Sequence, residues 1–488
     1  MFLLKKNSAI SMKNSFFQSF KFIILLFISS CAPKYTRPIA DIDNIWPKSS
    51  IEESNSKLDK NASLVSWKKF FKNKEIQDVI LIALKNNRDY KIAALNSENA
   101  LQYYRIKRSE LLPTINSNFL QNKQKTPPNS VFNFSGNVTR REDAFIINNY
   151  RANLLSTSFE IDLFGKISNL SKRSREEFFS LEENKNSVKI SLISQVVQSY
   201  LQICANIEHM KIIDEEIKIE EKNFELTNAL YENGSISKID LLSNKKNLQN
   251  AKAYKLKITR IFEKDKNIFL NITGLRNDSD IIFLKLDEII IDENLNNFLP
   301  SEIILSRPDV KAAEHIIKSY NANIGAARAA FLPSISVTSN YGFASTQISN
   351  LFSSKSKDSW NFTPQISIPI FSAGAAIANL KSAKIQKELA IENYQKIIRN
   401  AFFEIAEELL SKKNLKEELD IYKAISSADL ELYELFKARF DNGSDNFFQF
   451  IERRKNLLNA KIQENEVKRQ YLNSTVNLYK AMGGGVDD

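Results

Sequence analysis

The stretch Arg108-Ser109-Glu110-Leu111-Leu112-Pro113-Thr114-Ile115 is written a second time as Arg328-Ala329-Ala330-Phe331-Leu332-Pro333-Ser334-Ile335. In both copies a helix-forming run meets Leu-Pro. The proline ring clashes with the preceding turn and removes an amide donor, so the helix stops there and an extended segment begins. The echo continues downstream. Asn233-Gly234-Ser235 matches Asn442-Gly443-Ser444, and Asn250-Ala251-Lys252 matches Asn459-Ala460-Lys461. Leu241, Leu248, Ile258, Phe262 and Phe269 pair at the same offset with Phe450, Leu457, Val467, Tyr471 and Leu478. Agreement in order and spacing defines a chain of two similar halves.

Each half then follows one grammar. After Leu-Pro come two segments of alternating polarity. In Asn153 to Leu163, Leu155, Phe159, Ile161 and Leu163 share one parity and Ser156, Ser158, Glu160 and Asp162 the other. Ile335 to Phe343 and Trp360 to Ile370 alternate in the same way, Thr114 to Gln121 more weakly, with polar connections at Gln121 to Asn149 and Ala344 to Ser359. Period-two alternation over about ten residues suits a membrane hairpin with lipid on one face and water on the other; a soluble half-buried hairpin is the other reading. Long helices follow. Lys166 to Leu230 contains no Gly or Pro, and Ile193, Val196, Tyr200, Ile203, Ile207 and Met210 recur in steps of three and four. That is a heptad seam, which packs lengthwise on neighbouring helices. At Asn233-Gly234-Ser235 the glycine supplies the positive φ of a helix end, and a second helix returns. The later half repeats this from Ala375 to Phe440 and from Ser444 to Met482.

Only 11 Gly and 11 Pro punctuate 488 residues, so long uninterrupted elements are expected. The net charge is +11; Lys5, Lys6, Lys13 and Lys21 lie in an N-terminal stretch without acids, and the remaining +7 is interspersed among Glu and Asp. No compact basic run with interleaved aromatics is present, which argues against nucleic acid as a partner. The apolar core Phe22 to Ile28 is too short to span a bilayer and reads as an export signal. It runs into Ile28-Ser29-Ser30-Cys31, a pattern that resembles the bacterial lipobox. An ordinary secretory signal with an incidental cysteine is the alternative. The resemblance implies diacylglycerol on the Cys31 sulfur and an acylated amino terminus, and Ala32 in place of Asp then points to the outer membrane. Cys204 has no intramolecular partner once Cys31 is consumed, and its helical setting predicts buried filler.

Four membrane strands cannot close on themselves, and an open sheet in lipid strands backbone groups at several kcal/mol each, so subunits must combine their strands. Further pieces of the sequence complete the picture: Tyr35-Thr36-Arg37-Pro38, Trp67-Lys68-Lys69-Phe70, Asn87-Arg88-Asp89, Asp162-Leu163-Phe164-Gly165, and Ser306-Arg307-Pro308-Asp309-Val310 with Ala313-Glu314. In this order on a duplicated frame, the chain resembles the TolC-like outer-membrane factor family over nearly all of its mature length. The resemblance implies a mainly α protein with membrane β: a channel-tunnel protomer forming a homotrimer with a twelve-stranded barrel and a twelve-helix periplasmic tunnel. It implies docking to a periplasmic adaptor and an inner-membrane pump, and the Arg-Pro-Asp-Val stretch is similar to ducts of resistance-nodulation-division drug pumps. Expected divisions are a signal at 1–30 and a lipid-anchored arm at 31–72. A first repeat covers 73–275 (hairpin 113–165, helices 166–273), and a second covers 300–484 (hairpin 333–372, helices 374–482).

By the same resemblance, a periplasmic gate falls on Asp240, Gln449 and Glu452, and adaptor docking on Gly234, Ser235, Gly443 and Ser444. Family members often carry Asp where Glu452 stands, and Ile451-Glu452-Arg453-Arg454 is more basic than the family pattern. One carboxylate per subunit around an axis favours cations and raises the cost of closure unless Arg or Lys pairs with it. Simple solvated helix residues, and simple helix capping, are the alternatives at these positions. Catalytic readings find no support. His209 and His315 have no zinc-type partner at i+4, and Gly483-Gly484-Gly485 lacks the Lys and helix of a phosphate cradle. No cofactor is expected beyond the covalent lipid on Cys31. Two other functions stay open: an exit duct for type I protein secretion, and a non-conducting coiled-coil lipoprotein that spaces the envelope.

Overall fold

The computed structural model describes residues 32–39, 66–128, 130–134, 137–278, 281–292, 300–353, 357–444 and 447–485. The export signal and Cys31 lie outside them. Among the described residues the chain forms α1 (Trp67–Phe70), α2 (Lys74–Asn86), α3 (Arg88–Ser109), β1 (Thr114–Thr126), β2 (Ser130–Phe134), β3 (Asn137–Arg141) and β4 (Phe145–Ile161). It continues with α4 (Lys166–Glu232), α5 (Lys238–Thr273), α6 (Pro300–Ser306), α7 (Pro308–Ala329), β5 (Ser334–Ser345), β6 (Lys357–Ser367), α8 (Ala375–Asp441) and α9 (Phe447–Ala481). The duplication is visible in the elements themselves: α4 and α8 each have 67 residues, and α5 and α9 have 36 and 35. At ~1.5 Å per residue, the two longer helices each extend about 100 Å.

Two compact units divide the chain. The first contains residues 32–37, Glu98–Phe179 and His315–Ile391, and holds both sheets. Its main sheet is antiparallel in the order β1-β4-β5-β6, so the two hairpins lie side by side and β1 and β6 are open edges. The strands are longer than their sequence alternation suggested. Residues 122–126 and 145–149 pair with one another, and β2 pairs with β3 beyond them, so the expected polar connection from Gln121 to Asn149 is largely β-structure. Backbone pairing there outweighs the absence of an apolar period. Register places Ile161, Ile335 and Ile366 in one row across three strands, Phe159, Val337 and Pro364 in the next, and Leu155, Tyr341 and Trp360 farther along. A bulge in β4 between Asn153 and Leu155 sits opposite Gly342, where a Cβ would fall 2.0 Å from the Ala152 carbonyl oxygen. Only glycine fits that approach.

The second unit contains 66–97, Ser180–Glu314 and Glu392 onward. Its core is the predicted seam: Ile193, Val196, Tyr200 and Ile203 of α4 are buried, as are Phe269, Tyr479, Phe70 and Phe71. Tyr200 uses its hydroxyl twice, donating to the Ile282 carbonyl at 2.8 Å and accepting from the Leu284 amide at 3.0 Å. Phe70 stacks on Tyr479 at 4.2 Å, so α1 packs on α9. Cys204 is buried as expected, and burial, with Glu208 beside it, pushes its thiol up to about 12.

Candidate functional site

The two Asn-Gly-Ser turns form the same hydrogen-bonded cap. In the first, Gly234 has φ +70, its amide donates to Tyr231 O at 2.9 Å, and the Ser235 amide donates to Leu230 O at 2.9 Å. In the second, Gly443 has φ +72, its amide donates to Phe440 O at 2.9 Å, and the Ser444 amide donates to Arg439 O at 2.8 Å. These paired bonds satisfy carbonyls that every helix end leaves open, and they need the left-handed conformation glycine provides. A Cβ added at either glycine meets nothing within 4 Å. The turns are therefore set by backbone conformation, with free space around them.

The residues expected at the gate follow these turns but differ in setting. Asp240 is exposed and closes a capping box at the start of α5: its amide donates to Ser237 Oγ at 3.2 Å, and its carboxylate accepts from the Ser237 amide at 3.2 Å and hydroxyl at 2.6 Å. Its charge thus already serves the helix N-terminus. Gln449 and Glu452 of α9 are both exposed.

The arginines after Glu452 explain the basic departure in the sequence. Arg453 lies 4.9 Å from the Phe436 ring centroid, and Arg439 lies 5.6 Å from the same ring. Arg454 donates through Nη1 to the Tyr433 hydroxyl at 2.6 Å and reaches Glu215 of α4 at 3.7 Å. Phe450 stacks between Tyr433 and Phe440. Cation–π contacts of this kind contribute roughly 0.5–1 kcal/mol each at exposed sites. Arg453 and Arg454 bind α9 to α8 and, through Glu215, to α4. At the equivalent place in the first half, Asn223 donates to Asn244 at 2.8 Å and Thr227 is buried. The halves therefore close one geometry with different chemistry. These aromatic partners were missed in the sequence, where Ala375 to Phe440 was read only as a long helix.

Elsewhere the histidines are accounted for by packing. His315 Nδ1 is 2.8 Å from buried Glu176, whose carboxyl is opposed by burial yet held below its usual range by His315 and Arg175. His209 contacts Tyr254 at 3.4 Å, and burial lowers its pKa. Among the described residues no group of three His, Cys, Asp or Glu could hold a metal ion, and no helix is long and apolar enough to cross a membrane.

The sheet of the first unit has a separate bearing on function. Every residue of β1 but its last is exposed, whichever face it points to. Ile115, Phe119, Leu155, Trp360, Phe362 and Ile366 are each more than half exposed. A soluble half-buried hairpin would cover one parity with a core.

The model of the family described as outer membrane efflux protein matches residues 79–262 and 299–484. A Pseudomonas putida protein named probable efflux pump outer membrane protein TtgC is 33% identical over 457 residues, covering 93% of this chain and 92% of its own. Outer membrane protein OprJ of Pseudomonas aeruginosa is 28% identical, covering 96% and 95%. Among solved structures, the open state of the Neisseria gonorrhoeae MtrE outer membrane channel superposes with a TM-score of 0.80 at 28% identity, covering 93% and 98% of the two chains. The Campylobacter jejuni CmeC outer membrane channel gives 0.81 at 27% identity, covering 93% and 95%.

Proposed function

The chain belongs to the outer membrane efflux protein family and is an outer-membrane exit channel of a tripartite efflux system; on that premise we propose that it works as a lipid-anchored homotrimer. Each copy contributes four strands to a twelve-stranded barrel and four long helices to a tunnel. The observation that carries this reading is the sheet with two unpaired edges and exposed apolar rows on its strands. Its edge groups require strands from neighbouring copies, and its apolar side chains require lipid.

The lipid would be diacylglycerol and an N-acyl chain on Cys31, as the lipobox suggests. Asp240, Gln449 and Glu452 would ring the periplasmic opening, where Arg453 and Arg454, the cations next to Glu452 in sequence, face aromatic rings and Glu215. The open space around Gly234, Ser235, Gly443 and Ser444 is suited to an adaptor's helices. The pump would be of the resistance-nodulation-division class, given Arg307-Pro308-Asp309-Val310, and the cargo drugs or other small molecules. Conduction is passive: energy comes from the pump, and partner contacts open the gate.

The test is electrophoretic and electrical. Purified protein should run as a detergent-resistant trimer until heated and should insert conducting pores into a planar bilayer. A stable monomer without conductance, including after Glu452→Ala with Asp240→Ala, would refute the proposal and favour the non-conducting spacer.

A further inference from the structure

Register sorts the main sheet of the first unit into two faces, because residues directly opposite one another on paired strands share a face. Ile161, Ile335 and Ile366 lie on one, and the bulge in β4 keeps Ala152 and Phe343 on that same apolar face farther along. The other face is built of neutral amides and hydroxyls. Asn118 stands beside Asn153, Thr338 opposite Thr363, and Asn340 opposite Asn361. The amides bond to each other across the strands: Asn153 Nδ2 donates to Asn118 Oδ1 at 2.7 Å, and Asn340 Nδ2 to Asn361 Oδ1 at 2.9 Å.

Charge enters this polar face at its two ends. Near the helices, Glu160 stands opposite Ser336, and Lys166 compensates it at 3.2 Å. At the far end one row runs Leu120, Arg151, Ala344 and Lys357 across the four strands. Arg151 is exposed, and no acid pairs with it among the described residues. From Glu160 to Arg151 the strand covers roughly 26 Å, or about 20 Å of height at a tilt of ~40°, which brings the row to the margin of an apolar band about 25 Å tall.

The nearest acids do not cancel this row. Asp358 follows Lys357 but stands opposite Phe343, so it belongs to the apolar face. Asp143 precedes β4 and is separated from Arg151 by roughly 26 Å of extended chain, with Glu142 beyond it. Fixed charges act over about one Debye length, ~8 Å at physiological ionic strength, so neither acid of that turn screens Arg151.

We propose that Arg151 and Lys357 form a cationic ring at the outer mouth of the pore that biases exit toward anions. The ring rests on the trimeric channel reading: with the apolar face in lipid, the polar face lines the lumen, and three copies repeat the row around one axis. Rings of Arg or Lys select anions as rings of Asp or Glu select cations. The amide rows between the ring and Glu160 carry no fixed charge, so Arg151 and Lys357 set the sign of the field at this end, opposite to that of Asp240 and Glu452. Solutes bearing a carboxylate, sulfonate or phosphate then leave against less electrostatic opposition than cations of equal size.

The experiment measures reversal potentials of the full-length protein in bilayers of uncharged lipid under a potassium chloride gradient. It is run at about 0.01 M salt, where the Debye length is roughly 30 Å, and at about 1 M, where it is roughly 3 Å. At low salt the chloride-to-potassium permeability ratio should fall roughly twofold in Arg151→Gln or Lys357→Gln and roughly fourfold in the double variant. At high salt the differences should vanish. Arg151→Lys keeps the charge and should match the parent, as should Lys123→Gln, whose position shares the apolar-face parity of Phe119. Lys357→Gln gives the reading if Arg151→Gln does not fold. A ratio unmoved by both neutralisations overturns the ring alone, as does an equal change in Arg151→Lys. A parent that conducts nothing refutes the channel reading and the ring with it.

Discussion

The Asn87 side-chain amide donates to the Ile272 carbonyl at 2.8 Å, joining the junction between α2 and α3 to the last turn of α5. The second half makes the same joint with a charge. Arg307, at the junction between α6 and α7, donates to the Ala481 carbonyl at the end of α9. Ile272 and Ala481 are 209 residues apart, as are Gly234 and Gly443. Gly274 and Gly483 follow each carbonyl with positive φ, and a Cβ there would reach 2.9 Å from Asn86 and 3.0 Å from Arg307 respectively.

Arg307 does more than its neutral counterpart. It makes two bonds to Asp309, at 3.0 and 2.8 Å, and one to Glu404 at 2.9 Å. Arg307→Asn, which installs the first half's solution, should cost on the order of 3 kcal/mol because Glu404 and Asp309 lose their cation. Asn87→Ala should cost about 1 kcal/mol. Chemical denaturation of the purified protein measures both; equal losses would contradict the distinct role of the charge.

One turn beyond Glu404, burial raises the Glu408 carboxyl to about 7 from its ordinary 4.5, aided by Glu407 and Glu404 and opposed by Lys480 and Asn477. The folded state holds this proton more tightly than the unfolded state, so its contribution to stability is full below pH 4.5 and is lost as pH rises through 7. Glu408→Gln should therefore stabilise the protein at pH 8, by about 1 kcal/mol once solvent screening of this half-exposed group is counted, and flatten that part of the pH profile. Melting curves at pH 5 and pH 8 check this, and a stabilisation equal at both would be the wrong outcome.

At the second turn, Gly443→Asn keeps a residue that tolerates the left-handed conformation, whereas Gly443→Val does not. The asparagine variant should melt close to the parent, and the valine variant should lose roughly 1–2 kcal/mol. If the free space around Gly443 receives an adaptor, Gly443→Asn should also weaken adaptor association by crosslinking while leaving bilayer conductance intact. Unchanged association would reduce the glycine to a helix cap.

Removing the Tyr433 hydroxyl tests the arginine latch. Tyr433→Phe withdraws the acceptor of Arg454 but leaves the ring stacked with Phe450, and should raise the open probability in planar bilayers. Arg454→Leu should raise it further by also releasing Glu215. No change in gating from either would assign the cluster to packing alone.

Much of this protein was readable residue by residue. The Leu-Pro stops, the unbroken runs without Gly or Pro, and the two Asn-Gly-Ser turns act through local backbone preference, so their sequence determines the elements and the duplication. The heptad seam told which face of α4 is buried, since its period is local as well. Contacts across hundreds of residues were settled only by the folded chain. Arg307 read as part of a motif, but its reach to Ala481 and Glu404 needed α8 and α9 in place; Gly325 read as an unremarked helical glycine until Ala32 was set against it. The strand extensions at residues 122–126 and 145–149 were hidden for a related reason: ladder hydrogen bonds are made by backbone that any polar sequence carries. Side-chain pattern reports which surface a segment buries, whereas partner identity depends on where the rest of the chain brings its own groups.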